Sequence, residues 1–363
     1  PGYFMFMAEF TKVFGDSFHT LQVLNIGMVF LSIAFFYIFL IRFGLTSVFA
    51  LLYSLPIALS PYLKYSALEL NTDHFAVVFL VLSLSFLLGA MRQKGIIQFL
   101  LLTMCIVSVL VSLYTRQNYL SALLVINILI GKYIHERAVK LYCVVTSILG
   151  LIPLLFLFWR WGGFVNPNFQ EAHQAIAISA TNIVYGILNG LVYFIPFVII
   201  LWFIHRLSFS VFKRPNAASY IVLSVIVIVA FLLTIGFDFS RLHGDGGGLL
   251  LKTIKYLPHP YFQLLALFFF ILLFLTSSWL VLFIMREKLL YFSFIILLLP
   301  LFFNNASYPK YFDPMVVIVL LSMMVMVKSN AMGRIAYPIV LSGFQLAIQI
   351  ILVIYYFQIK VWT

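Results

Sequence analysis

Apolar runs of 15 to 25 residues follow one another along nearly the whole chain, broken by short polar junctions, and this alternation limits what the chain can become. A bilayer core about 30 Å thick needs roughly 20 apolar residues per helix. Twelve such runs are read: 19–43, 46–61, 74–92, 96–114, 118–134, 138–158, 181–204, 218–237, 261–284, 289–303, 311–327 and 337–359. They are continuously apolar and do not alternate residue by residue, which excludes a strand barrel. Backbone polar groups in lipid must pair within their own segment, which leaves helices. The expected fold is an all-α, polytopic transmembrane helical bundle, with short runs such as 289–303 tilted or partly buried.

Of 363 residues, 64% are hydrophobic and 9% charged, so no stretch is polar enough for a soluble domain and any chemistry must sit in the junctions. If the first residues lie outside, the inner junctions carry Arg42; Arg92 and Lys94; Lys132, Arg137 and Lys140; Arg206, Lys213 and Arg214; Arg286 and Lys288; Lys328 and Arg334. These are thirteen of the 22 basic residues, all in short loops, whereas Glu9, Asp16, Glu69, Asp73, Glu171, Asp238, Asp245 and Asp313 fall outside. The net charge of +12 is thus spread in pairs and triples that set orientation, and nucleic acid is not an expected partner. Cys105 and Cys143 both fall inside apolar runs and read as small apolar side chains.

Residues 1–18 place Tyr3, Phe6, Met7, Phe10, Val13 and Phe14 at helical spacing opposite Glu9, Lys12 and Asp16, the pattern of a helix lying on the outer surface. Residues 19–363 then form one transmembrane domain, with outer loops at 62–73, 159–180, 238–260 and 304–310. The chain opens Pro1-Gly2-Tyr3 and is expected to be the remainder of a longer protein.

Five polar constellations lie on the outer side. Asn71-Thr72-Asp73-His74 puts a carboxylate where a helix begins: an N-cap by the plain reading, a base or a binder of sugar hydroxyls by the functional one. Tyr114-Thr115-Arg116-Gln117-Asn118-Tyr119 joins two runs with almost no loop. Arg116 either snorkels to headgroups or offers its fork of donors to a phosphate, with the amides of Gln117 and Asn118 suited to sugar hydroxyls.

Trp159-Arg160-Trp161-Gly162-Gly163 leads to Glu171 and His173. An aromatic belt explains the tryptophans but not two glycines followed by an acid and an imidazole two residues apart, a dense set of sugar-compatible groups that are too few for a metal site. Arg241-Leu242-His243-Gly244-Asp245 with three further glycines precedes Lys252, Lys255 and His259. It lacks the strand and Lys-Ser/Thr pair of a Walker loop, and reads equally as a lid over a phosphate or a plain linker. Ser307-Tyr308-Pro309-Lys310-Tyr311-Phe312-Asp313-Pro314 starts a helix with a cation and a tyrosine at headgroup level.

Taken in order, the Pro-Gly-Tyr-Phe opening, Asn71-Thr72-Asp73, Arg116-Gln117-Asn118, the Gly162-Gly163 to His173 loop and Tyr311-Phe312-Asp313-Pro314 resemble the dolichyl-phosphate-glucose alpha-1,2-glucosyltransferases. These add the last glucose to the lipid-linked N-glycan precursor and belong to the GT-C superfamily of polyprenyl-phosphate-sugar transferases. There are departures. The family's Arg-Gln-Thr-Asn is one residue shorter here, Lys310 stands where members carry Arg, and the long inner insertion of eukaryotic members is absent. The family's first helix and acidic outer loop precede the Pro-Gly-Tyr segment, and GT-C enzymes usually keep their catalytic carboxylate in that loop. The residues here are therefore expected to lack the principal base.

The resemblance implies a GT-C-like bundle and inverting transfer of a hexose, glucose first among candidates, from a polyprenyl- or dolichyl-phosphate donor to a lipid-linked glycan on the outer or lumenal face. In that scheme Arg116, Lys310 and Lys255 face the phosphate; Gln117, Asn118, His243, Asp245 and Tyr311 complete the substrate-binding set; and Asp73, Glu171 and His173 orient the acceptor or do secondary acid–base work. A lipid phosphate leaving group needs little protonation at neutral pH, so no metal or cofactor is implied. Membrane lipids are the remaining expected partners, in the ER membrane of a eukaryote or the cytoplasmic membrane of a prokaryote. A polytopic transporter or lipid flippase is the alternative, with a purely structural membrane subunit behind it. Transporters place ionisable groups near the midplane, whereas these runs are nearly uncharged at their centres.

Overall fold

The computed structural model describes residues 2–15, 18–60, 63, 73–161, 179–204, 217–240, 248–285, 287–302 and 313–326, with six further positions between 339 and 350. Its regular elements are all helical: α1 (Gly2–Phe14), α2 (Phe18–Arg42), α3 (Ser47–Ala58), α4 (Asp73–Ala90), α5 (Gly95–Thr115), α6 (Leu120–Tyr133), α7 (Arg137–Trp161), α8 (Ala180–Ile204), α9 (Ala217–Ile235), α10 (Gly248–Lys255), α11 (Pro260–Trp279), α12 (Lys288–Phe302) and α13 (Asp313–Met326). No strand occurs among the described residues.

Each apolar run from 19–43 to 311–327 contains one of these helices, and the run 337–359 falls almost wholly outside the described residues. Among the described residues five helical stretches are long and apolar enough to cross a membrane: Phe18–Arg42, Asp73–Ala90, Gly95–Thr115, Arg137–Trp161 and Pro260–Ile284. On length and composition the chain is a membrane protein. One expectation fails at α10. The stretch 238–260 is not a loop throughout, because Gly248–Lys255 forms an amphipathic helix of about two turns that buries Leu251 and Ile254.

The chain divides into two compact units, Pro1–His173 with Lys310–Ser322, and Gln174–Pro309 with Met323–Thr363. The centre of the first is the antiparallel hairpin of α4 and α5. Ser83 Oγ donates to the Cys105 carbonyl at 2.8 Å, and Ser112 Oγ to the Ala76 carbonyl at 2.8 Å, so each helix lends the other a hydroxyl two turns apart. Such bonds hold helices together in lipid, where apolar faces have no preference for one another over acyl chains. Within its span 72% of α4 is buried, against 17% of α7, which makes α4 a core helix and turns α7 outward.

On α7, Pro153 cannot supply the amide that would bond the carbonyl of residue 149. The next carbonyl, on Gly150, accepts from Tyr114 Oη at 2.7 Å, and the bare Cα of Gly150 admits the Leu110 side chain. At the opposite end of this unit α2 stops in a Schellman turn. Leu45 N donates to the Leu40 carbonyl at 3.1 Å and Gly44 N to that of Ile41 at 2.8 Å, with Gly44 at φ +96°, where a side chain is strained. Arg92, in the α4–α5 turn, closes over it. Its Nη1 donates to the Arg42 carbonyl at 2.9 Å, its Nη2 to that of Phe43, and its guanidinium carbon lies 4.5 Å from the Phe43 ring centroid.

In the second unit α8 is the buried helix. Ser179 Oγ caps it by accepting from Asn182 N at 3.1 Å, and Gly186 and Gly190 form a small-xxx-small face that admits α12. A Cβ on Gly186 would run into the Phe302 ring, and one on Gly190 would come within 2.7 Å of Leu298. Phe194 then packs on Phe294 and Phe274 at centroid separations of 4.8 and 5.4 Å.

Candidate functional site

The polar residues that the fold gathers lie at the end of the first unit away from Arg92. Helix α5 ends at Thr115 because Arg116 takes an extended conformation, φ −140° and ψ 117°, while its amide still closes on the Ser112 carbonyl at 2.8 Å. Gln117–Tyr119 make a single 3-10 turn, Tyr119 N donating to the Arg116 carbonyl at 3.1 Å, and Ser121 Oγ donates to the Asn118 carbonyl at 2.8 Å to start α6. This bend swings the Arg116 side chain toward the first turn of α4.

There it meets Asp73 edge-on. Arg116 Nε lies 2.8 Å from Asp73 Oδ1 as an ion-pair contact, and Nη2 donates to Oδ2 at 3.0 Å. The side chain of Asp73 is 3% exposed and that of Arg116 22%, so the carboxylate is enclosed and what exposure the pair has belongs to Arg116. His74 is fully buried beside them and within reach of the Arg116 charge, and the buried Tyr119 lies within electrostatic reach of both partners. Asn118 is half-buried and Gln117 exposed.

Helix α1 covers this end. Met7 packs against Phe75, two residues beyond Asp73, with Leu21, Leu24, Met28, Phe79 and Val111 around them. Of the apolar residues described on α1, Met7 thus faces protein, whereas Val13 and Phe14 remain exposed.

Asp73, Arg116, Gln117 and Asn118 are thus brought to one place. Lys255 belongs to the other unit, where it ends α10 half-buried, its carbonyl accepting from Gln263 Nε2 at 3.4 Å. Glu171, His173, His243, Asp245, Lys310 and Tyr311 lie outside the described residues. Neither reading of Arg116 as a snorkelling cation nor that of Asp73 as a lone cap had paired them. His74 and Tyr119 were left out of the candidate set, although an ionisable residue at the head of an apolar run is a signal in itself. Among the described residues no group of three or more His, Cys, Asp or Glu side chains is placed to hold a metal.

Comparison with family models, with curated proteins and with solved structures gave no match to this chain.

Proposed function

We propose that the chain is a membrane glycosyltransferase of the GT-C type, a twelve-span bundle that moves a hexose from a polyprenyl-phosphate donor to a lipid-linked glycan at the outer or lumenal face. The observation that carries this reading is the unequal burial of the Asp73–Arg116 pair. A carboxylate enclosed beside a half-buried arginine fixes Arg116 as a cation with part of its side chain still open, an arrangement that suits a departing lipid phosphate.

In this scheme the acceptor hydroxyl attacks the anomeric carbon as the bond from that carbon to the phosphate oxygen breaks, and the phosphate departs with the electron pair toward Arg116. Asp73, with both oxygens turned to Arg116, is a positioning residue; the acceptor's proton goes to the principal base, a carboxylate that the resemblance places outside these residues, with Glu171 and His173 in acceptor orientation or secondary acid–base work. Gln117 and Asn118 stand next to the cation to orient sugar hydroxyls. The test is transfer of label from a polyprenyl-phosphate hexose to lipid-linked glycan by membranes holding the full-length protein. Transfer that falls at least about a hundredfold in Arg116→Ala, with the protein still folded, supports the reading; no transfer from any such donor defeats it.

One observation favours a second reading. A buried His beside a buried ion pair at the mouth of a span is also what a proton-coupled transporter uses. Uptake into proteoliposomes driven by a pH gradient and abolished in His74→Ala, without hexosyl transfer, would decide for it.

A further inference from the structure

A cleft in the first unit begins beside the Asp73–Arg116 pair and is closed by one side chain of α1. Leu21, Leu24 and Met28 of α2, Phe75 and Phe79 of α4 and Val111 of α5 form its walls, and Met7 sits among them, 9% exposed. Phe75 stands two residues past Asp73, about 3 Å of helix rise, and Phe79 about one turn further on, so the cleft descends along α4 from the level of the ion pair. Its two rings lie 5.0 Å apart. Phe75 is buried, whereas Leu21, Leu24, Met28, Phe79 and Val111 are half-buried, so the remaining walls are incompletely covered.

The helix that carries Met7 is lightly held. Among its described side chains Met7 is the buried one, and Val13 and Phe14 are 73% and 63% exposed. Further contacts fall within the helix itself: Phe10 stacks on Phe14 at 4.5 Å, Lys12 pairs with Glu9 at 2.6 Å, and Thr11 Oγ1 donates to the Ala8 carbonyl at 3.1 Å. Beyond Phe14 comes Gly15 at φ +87°, where an added Cβ would meet nothing within 4 Å. A segment with one buried apolar anchor and an open glycine joint opens ahead of its better-packed neighbours.

We propose that α1 is a gate and Met7 its plug: the first isoprene units of a polyprenyl phosphate take the place of Met7 in the cleft while the phosphate meets the exposed part of Arg116. The identity of the lipid rests on the transferase reading, to which the gate adds the route of the donor's tail. Methionine fills irregular apolar gaps without a fixed shape, and a branched, unsaturated chain suits the same bed of Leu, Met and two rings. Spacing selects the lipid. With the cleft starting about 3 Å of rise from Asp73, hydrocarbon has to begin almost at the phosphate. A polyprenyl phosphate joins the two directly, whereas a glycerophospholipid puts a glycerol and an ester between them.

The test uses the full-length protein, a polyprenyl phosphate with a diazirine on its first isoprene unit, and phosphatidic acid as the glycerol-spaced control. Adducts should fall on residues 21–28, 75–79 and 111. Hydrogen exchange in residues 3–14 should rise about threefold with the polyprenyl phosphate and stay constant with phosphatidic acid. In Met7→Cys with Phe75→Cys, a short reducible bis-methanethiosulfonate should cut label transfer about tenfold, and reduction should restore it. The native Cys105 and Cys143 are buried away from the reagent, and a folding defect does not reverse on reduction. Exchange in 3–14 that is unchanged or slowed by the polyprenyl phosphate, adducts outside the cleft, an equal response to phosphatidic acid, or transfer untouched by the lock would overturn the gate. Binding with the expected adducts and exchange but no sugar transfer would support the gate and defeat the transferase reading alone.

Discussion

Asp73 and Arg116 close the open end of a helical hairpin. The α4–α5 pair is joined at its other end by the turn that carries Arg92, and here by two contacts of 2.8 and 3.0 Å between side chains 43 residues apart in sequence. With the carboxylate almost wholly enclosed and Arg116 half-buried, either partner left alone is a largely desolvated charge without its counter-ion. Such a charge is far more costly than the pair is stabilising.

Asp73→Ala and Arg116→Ala should each lower stability by about 3–5 kcal/mol, while Asp73→Leu combined with Arg116→Met should cost less than either. Unfolding of the detergent-solubilised protein in a double-mutant cycle measures this. Additive losses would show that the pair is not coupled.

The close approach of α8 and α12 depends on two missing side chains. Gly186→Ala meets the Phe302 ring and Gly190→Ala meets Leu298, so each should cost about 1–3 kcal/mol as overpacking. Gly131→Ala in α6, with nothing within 4 Å of the added Cβ, is the control and should be neutral or slightly stabilising. Thermal midpoints of the three variants should separate in that order.

Ser83 and Ser112 donate between helices, whereas Ser32 donates to the Met28 carbonyl of its own helix at 2.9 Å. Ser83→Ala and Ser112→Ala should each cost about 0.6 kcal/mol, a typical interhelical bond in lipid, and Ser32→Ala less. Equal effects at all three sites would mean that the interhelical bonds add nothing.

Cys105 and Cys143 are free thiols and fully buried. A maleimide should label neither in the folded protein and both after denaturation, followed by intact mass; rapid labelling of Cys105 in the native state would contradict the packing of α4 on α5.

How far the sequence reached depends on the range of the interaction. The helix at 73–90 follows from an unbroken apolar run between Asp73 and the Arg92 turn, and the helix at 2–14 from the helical spacing of its apolar residues, since both signals are local and periodic. The helix Gly248–Lys255 was missed because eight residues behind a glycine tract carry too little periodicity to stand out, and it is stabilised by burying Leu251 and Ile254. Asp73 and Arg116 were each legible as unusual, a charge at the edge of an apolar run.

By itself the sequence determined the helical class, the approximate spans of the long apolar helices, and the residues that would be expensive to leave in lipid, because hydrophobicity acts over a few residues. Only the tertiary structure decided which of those residues meet. The bend at Arg116 and the packing of α5 on α4 turn a cation with two possible roles into the half-exposed partner of an enclosed carboxylate, since contact across 43 residues depends on how helices pack and leaves no period in the chain.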